Sequence, residues 1–228
     1  MNPMENLYNM CNKHLLGVRK TTNTNLCLIE LGLPPLKALI KHRQKKFFKC
    51  MWTERRDMND DPLSFVLNLV MDSRISTRKF IKDLLESENY DISVASNKLI
   101  QDVISSDSSK CIYYLVINPD MKVHAIYNTK VRLNELERMS WSKLRLSAHS
   151  LVIETGRWNR RGRGHLPMEQ RLCQCGLVQT ERHVVEVCTM SQHIRNIHGV
   201  RSLENLLLEI DDYSKVCHIA HTILEIYK

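Results

Sequence analysis

The chain has 228 residues, 43% of them hydrophobic and 25% charged, which is ordinary for a globular protein with a sizeable core. Seven glycines and six prolines provide few turns, so the composition favours helices over a many-stranded sheet. No apolar run reaches the roughly 20 residues of a membrane span, and the first residues lack the apolar centre of a signal peptide. We therefore expect a nuclear or cytoplasmic protein with no membrane partner.

The net charge of +8 is concentrated in two stretches. Residues 37–56 contain eight Lys or Arg and one acidic residue, and residues 141–171 contain seven basic and two acidic residues. Such stretches favour polyanionic partners, because each neutralised phosphate releases condensed counterions. They are also compatible with a solvated surface that binds nothing.

Three helices are predicted in the N-terminal part of the chain. Residues 4–18 form a helix with one face made of Tyr8, Cys11, Leu15 and Leu16. The polar residues 20–25 supply an N-cap for a short apolar helix that ends near Gly32. A third helix begins at Pro34-Pro35, since proline is tolerated in a first turn.

The third helix combines an apolar face with a row of lysines. Helical spacing unites the apolar residues Leu36, Leu39, Ile40, Phe47, Cys50 and Met51. Beside them lie Lys37, Lys41, Lys45 and Lys49, each four residues from the next. This lysine row fits a phosphate backbone and a solvated face equally well, and Lys41 and Lys45 are its candidate nucleic-acid contacts.

Further helices are predicted at 63–72, 75–87, 91–105, 131–153, 201–210 and 213–227. The apolar run 111–117 fits either a strand or a buried helix. Residues 156–170 contain three of the seven glycines and are predicted to be a loop. The fold class is therefore mostly α: an irregular helical bundle with a small C-terminal Cys/His zinc knuckle, built as a short hairpin, and terminal helices.

Four segments follow from this organisation. Residues 1–58 are a basic helical segment, and residues 59–155 are a helical linker or bundle. Residues 156–199 contain an arginine-rich loop and the zinc knuckle, and residues 200–228 form the C-terminal helices.

The Cys/His cluster, defined as Cys173, Cys175, His183 and Cys188, has the ligand set of a closed structural zinc site. Residues two apart in an extended segment face the same side, so both nearby cysteines can face one metal ion. Gly176 can adopt the positive φ that turns the chain back. Three thiolates and one imidazole leave no position for water, so the expected Zn²⁺ ion holds shape and does not catalyse.

Two alternatives to this ligand set remain open. His193 and His198 could replace the second pair of ligands, which would leave Cys188 unused. The hairpin could also be free of metal. The scattered cysteines, Cys11, Cys27, Cys50, Cys111 and Cys217, are expected to be core residues, and ordinary packing is favoured for Cys217, His218 and His221.

The arginine-rich segment 157–163 precedes the cluster and is a candidate nucleic-acid surface. Its candidate contacts are Arg157, Trp158, Arg160, Arg161 and Arg163. Trp158 could stack on an unpaired base or anchor the loop to the core. Catalytic signatures such as a phosphate loop or a nucleophile elbow are missing from the sequence. The pairs Asp60-Asp61 and Asp211-Asp212 are interpreted as structural.

The C-terminal half resembles a known family. The run 144–158 contains Leu144-Arg145, Ser147, His149, Ile153-Glu154 and Gly156-Arg157, and it is followed by the Cys/His cluster. This combination resembles the C-terminal region of reverse transcriptases from LINE-type (non-LTR) retrotransposons. Residues 14–21 and 30–36 resemble the segment that follows the polymerase thumb in the same family.

The resemblance implies a non-catalytic fragment that binds template RNA or target DNA. The polymerase palm and the endonuclease of the family would lie upstream of this chain, so we expect no enzyme activity and no small-molecule substrate. Two other interpretations remain: a zinc-stabilised helical module that binds a protein partner, and an inert remnant of the element.

Overall fold

The computed structural model describes residues 2–54, 92–128, 130–158 and 164–228, together with positions 79 and 83. These residues are mostly helical, which confirms the predicted fold class. The α-helices are α1 (Pro3–Leu15), α2 (Thr24–Leu31), α3 (Leu36–Glu54), α4 (Ile92–Ile104), α5 (Ser109–Ile117), α6 (Glu135–Arg145), α7 (Val152–Thr155), α8 (Gln192–His198) and α9 (Tyr213–Ile226). Within the described ranges, no helix is both long enough and apolar enough to cross a membrane.

A side chain and a glycine cap helix α2 as its flanking residues predict. The Asn23 side chain accepts hydrogen bonds from the N–H groups of Asn25 and Leu26 at the start of α2. Gly32 ends this helix with φ +64°. Of the residues predicted to share one face of the first helix, Leu16 is buried, whereas Cys11 and Leu15 are exposed.

Helix α3 begins at Leu36, directly after the two prolines and not at Pro34-Pro35 as predicted, and it buries a different face. Ala38 is buried, whereas Ile40, Phe47 and Cys50 are exposed, so the predicted apolar face is only partly covered. The periodicity identifies which residues share a face of the helix, but it does not identify the element that packs on that face. In α3, part of the apolar face stays exposed to solvent. Cys27, Cys111 and Cys217 are buried as expected, but the prediction of a core position is wrong for Cys11 and Cys50.

The apolar run 111–117 is helical. Cys111, Tyr114 and Ile117 lie three residues apart along α5, and each is fully buried. This spacing puts them on one face of a helix, whereas a strand would alternate its faces at every residue.

Residues 131–153 form two helices where one was predicted. Helix α6 ends at Arg145, and Ser147 adopts a positive φ of 46°, which turns the chain before α7 begins at Val152. In the predicted helix 201–210, Asn205–Glu209 forms a short π-helical turn. Helix α9 matches its prediction closely, and Asp212 caps it by accepting from Lys215 N–H at 3.0 Å.

The core joins both ends of the chain. Helix α9 packs along α6, and α2 packs against both α1 and α4. The fully buried side chains include Leu16, Leu26, Tyr114, Trp141, Leu144, Leu206 and Ile219. The predicted helices at 63–72 and 75–87 lie outside the described residues, apart from positions 79 and 83, which are both helical. The four-segment division stays a prediction.

Candidate metal centre

A short hairpin presents the first two cysteines. Leu172 and Val178 form an antiparallel bridge, and Cys173 N–H donates to Leu177 O at 2.7 Å. Gly176 turns the chain with φ +88°, and its N–H donates to Cys173 O at 2.9 Å. The predicted role of this glycine is confirmed, although Cys175 lies in the turn itself and not in an extended segment.

A wide helical turn presents the other two ligands. The N–H of His183 donates to Thr180 Oγ1 at 3.0 Å, which caps the start of the turn. His183–Val187 is a π-helical turn, and Cys188 N–H donates back to His183 O at 2.9 Å. This i to i+5 bond brings residues five apart to the same side, which an α-helical turn would not do.

The turn and the hairpin together place the four ligand atoms within 4.8 Å of one another. Cys188 Sγ lies 3.7 Å from Cys173 Sγ and 3.8 Å from Cys175 Sγ, and Cys175 Sγ lies 3.1 Å from His183 Nε2. These sulfur separations exceed a disulfide bond of about 2.05 Å. Cys173, His183 and Cys188 are buried, whereas Cys175 is exposed. The four residues could therefore bind one metal ion that enters from the side of Cys175.

The electrostatics of the cluster suit a cation. Burial lowers the pKa of His183, so its ring is neutral near pH 7 and offers a lone pair. Burial raises the pKa of Cys173, as expected for a thiol that lies beside other thiols without a counter-charge. Burial also opposes ionisation of Cys188, but hydrogen bonds from Tyr227 and from the Met190 backbone outweigh it and lower the Cys188 pKa. A bound cation would stabilise all three thiolates.

Residues outside the cluster hold the helical turn in place. Ser191 Oγ donates to Val184 O and to Cys188 O, and it accepts from Arg195 Nη1 at 2.8 Å. Tyr227, just after α9, donates to Ser191 Oγ at 3.3 Å. The end of the chain therefore supports the cluster from outside, a role that spacing along the sequence did not indicate.

Two buried polar contacts attach the hairpin to the helical body. Glu181 accepts from Ser147 Oγ at 2.5 Å and from His149 Nε2 at 3.0 Å. Gln179 Oε1 accepts from Val152 N–H at 2.6 Å, which satisfies the first turn of α7. Neither Gln179 nor Glu181 was predicted from the sequence, because their partners lie about 30 positions earlier in the chain and no local pattern connects them.

Arg171 anchors both ends of the loop that contains the arginine-rich segment. Its Nη1 donates to Ile153 O at 3.1 Å, and its Nε and Nη2 donate to Leu166 O at 3.0 and 2.8 Å. Leu166 N–H donates to Gly156 O at 2.9 Å. The residues on either side of the arginine-rich segment therefore lie close together at Arg171, two residues before Cys173.

The predicted nucleic-acid contacts are placed differently from one another. Arg157 lies 3.4 Å from the buried Glu154 carboxylate, and its Nη1 donates to Ser109 Oγ. Trp158 is 39% exposed. Arg160, Arg161 and Arg163 lie outside the described residues. In α3, Lys41 and Lys45 are half-buried and lie far along the chain from the cluster.

The rival metal ligands do not join the cluster. Within the described part of the chain, His193 and His198 belong to no group of potential ligands. The residues near the end of the chain also have structural partners: Cys217 is buried, His218 Nδ1 lies 2.9 Å from Glu137, and His221 Nδ1 lies 3.0 Å from Ser140 Oγ. These contacts agree with the packing role predicted for them.

Comparisons of this chain with protein-family models, with curated proteins and with solved structures find no match. The geometry of the cluster and the charge of its surroundings therefore supply the functional argument.

Proposed function

We propose that this chain is a non-catalytic nucleic-acid-binding module whose Cys/His cluster holds one structural Zn²⁺ ion. The observation that carries the proposal is that four ligand atoms lie within 4.8 Å of one another. The first of these ligands, Cys173, follows two residues after Arg171, which anchors the arginine-rich segment. The family that the sequence resembles, LINE-type reverse transcriptases, would use such a module to bind template RNA or target DNA.

The ligand geometry supports zinc. A tetrahedral zinc with Zn–S bonds of about 2.3 Å separates its sulfur atoms by about 3.8 Å. The distances from Cys188 Sγ to the two other sulfurs, 3.7 and 3.8 Å, match this edge. Soft thiolates with one imidazole select zinc over magnesium or calcium, which prefer oxygen ligands. Four protein ligands fill the coordination sphere, so the ion acts as a scaffold.

The charge distribution supports a nucleic-acid partner. Four arginines lie between positions 157 and 163, and the chain as a whole has a net charge of +8. Because Arg171 ties Ile153 to Leu166, the cluster and the base of this loop form one unit. We assign phosphate contact to Arg160, Arg161 and Arg163, and base contact to Trp158, which is close to them in the sequence. Arg157, which is paired with Glu154, has a positioning role.

An electrophoretic mobility shift assay at two salt concentrations tests this function. We expect wild-type protein to bind single-stranded RNA or duplex DNA and to lose affinity as salt rises, because counterion release contributes to binding. The triple variant Arg160/Arg161/Arg163→Ala should bind more weakly, by roughly 10-fold or more.

A matched triple variant, Lys98/Lys130/Arg132→Ala, removes the same charge from exposed positions elsewhere and should bind almost normally. Salt-independent binding, or equal affinities for the two triple variants, contradicts the proposal.

A second candidate is a zinc-stabilised module that binds a protein partner. Helix α1 supports it, because Met4, Leu7, Met10 and Leu15 are each about half exposed or more, which is unusual for a helix in a monomer. Tight binding of a protein partner that Leu7→Glu abolishes, without any affinity for nucleic acid, would favour this candidate. An inert remnant of the element would show neither activity.

A further inference from the structure

A second cationic feature lies away from the arginine-rich segment. A cavity of about 550 Å³, here called the α6–α9 cavity, opens between the end of α1, helix α6, the loop that follows α6, and helix α9. Its volume lies within the range of about 300–1,000 Å³ typical of small-ligand sites.

Three cationic side chains from three parts of the chain line this cavity. They are Arg19, after α1; Lys143, in the last turn of α6; and Lys228, after α9. Glu225 provides the one side-chain carboxylate of the lining; it is paired with Lys228 and lies 3.8 Å from His221. The lining therefore has an excess of positive charge. Lys143 is half-buried, and burial together with Lys228 and Arg19 lowers its pKa. An anion at this point would relieve that repulsion.

The same lining also contains apolar side chains. Val18, Leu136, Met139 and Leu224 line the cavity, and Leu136 is 66% exposed. A methionine beside a leucine offers an adaptable, polarisable surface to a flat aromatic ring. The cavity therefore combines cationic side chains with apolar ones that suit a base or a sugar.

A buried histidine also lies at this cavity. His149, only 2% exposed, contributes to the lining and donates through Nε2 to Glu181. Its other ring nitrogen, Nδ1, has no hydrogen-bond partner among the described residues. Buried polar atoms are nearly always paired, so a polar group of a ligand or a water molecule would satisfy this nitrogen.

We propose that the α6–α9 cavity holds one nucleotide unit of a single-stranded nucleic acid. The phosphate would lie among Arg19, Lys143 and Lys228, and the base or sugar would lie against Leu136 and Met139. A duplex keeps its bases stacked and paired, so only an unpaired nucleotide can enter. This inference rests on the proposed function and adds to it a second contact point and a preference for single strands.

Fluorescence anisotropy with a labelled single-stranded RNA, at several salt concentrations, tests the inference. We expect Lys143→Ala to weaken binding by about 10-fold and to reduce the salt slope by about one counterion. Leu136→Asp should weaken binding similarly, because it places a carboxylate at the cavity from an exposed position without disturbing the core. The matched control is Lys98→Ala, which removes one exposed lysine from α4.

Photo-crosslinking of a thiouridine-substituted strand, mapped by peptide mass spectrometry, locates the contact. Cross-links to residues 136–143 or 17–19 support the inference. Cross-links confined to residues 156–171, with Lys143→Ala equal to Lys98→Ala, overturn it and leave the proposed function intact. Wild-type protein that binds no RNA or DNA overturns both. Saturation by a free mononucleotide, while the strand cross-links elsewhere, would reveal a small-molecule site and overturn the assignment to a strand.

Discussion

The guanidinium group of Arg145 and the carboxylate of Glu30 form a buried ion pair between residues 115 positions apart. Arg145 Nε lies 2.6 Å from Glu30 Oε1, and Nη2 lies 3.2 Å from Oε2. Both side chains are almost completely buried. Tyr114 also donates its hydroxyl to Glu30 Oε2 at 2.6 Å, so α2, α5 and α6 meet at one carboxylate.

Removing one partner of this pair should destabilise the fold strongly. Glu30→Gln leaves the Arg145 charge buried without a counter-ion, which costs about 3–5 kcal/mol. Urea denaturation would measure the change in the free energy of unfolding. The control Asp120→Asn breaks an exposed pair with Lys122 and should change stability by less than about 1 kcal/mol. Equal effects of the two substitutions would show that the buried pair is not a stabilising contact.

The second prediction concerns metal removal. Native mass spectrometry should find one zinc per chain, and a chelator should lower the melting temperature because the ion binds only the folded hairpin. Cys188→Ala should lose the ion, whereas Cys11→Ala, which changes an exposed cysteine outside the cluster, should keep it. Loss of zinc in His198→Ala would instead identify the rival ligand set.

Two glycines with positive φ should differ in their response to alanine. At Gly176 a methyl group meets no atom within 4 Å, so only backbone strain of about 1–2 kcal/mol is expected. At Gly32 the methyl group would overlap Cγ2 of Val123, which adds a clash to the same strain. Thermal denaturation should therefore give Gly32→Ala a lower melting temperature than Gly176→Ala. Adding Val123→Ala should recover part of the difference, and no recovery would argue against the clash.

A fourth prediction is a pH dependence that originates at His124. Burial, followed by the Arg145 charge, lowers the pKa of His124 to about 4. The unfolded chain has the ordinary value near 6.5, so it binds the proton first as the pH falls. The stability that comes from the neutral ring is therefore complete above about pH 6.5 and is lost as the pH falls through about 4.

His124→Asn removes this titration but keeps an acceptor for the Ile126 N–H, which His124 Nδ1 now accepts at 3.2 Å. Between pH 7 and pH 4.5 the variant should lose less stability than wild type, by roughly 1–2 kcal/mol after solvent screening. Chemical denaturation at both pH values measures this difference, and metal-ligand titration, common to both proteins, cancels from it. His42→Asn, at an exposed position, should behave like wild type.

The candidate site could be predicted because its ligands are close in sequence. Cys173, Cys175, His183 and Cys188 lie within sixteen positions, so a hairpin and one helical turn suffice to bring them together. Gly176 and the cap at Asn23 were predictable for the same reason, since each depends on a few neighbouring residues. The zinc ion and the nucleic-acid partner stay proposals that rest on this local pattern and on charge.

Other features depend on distant parts of the chain. Periodicity put Cys11 and Leu15 on one face of α1 with Leu16, but burial depends on which helices pack there, and Cys11 and Leu15 are exposed. The run 111–117 has residues that suit a strand, yet it forms a helix that packs against α4. Its buried side chains are three residues apart, as on one face of a helix. No sequence pattern connects Glu30 with Arg145, or His149 with Glu181.

The amino-acid sequence alone was therefore sufficient for the helical class of the fold, for several helix ends and for the four clustered ligands, because capping, turn formation and ligand spacing act over a few residues. Packing established the rest: the support of the cluster by Tyr227, the anchoring of the basic loop by Arg171, and the cationic lining of the α6–α9 cavity. Lys143 and Lys228 line one cavity because α6 and α9 pack against each other, and the free energy of that packing comes from the core as a whole.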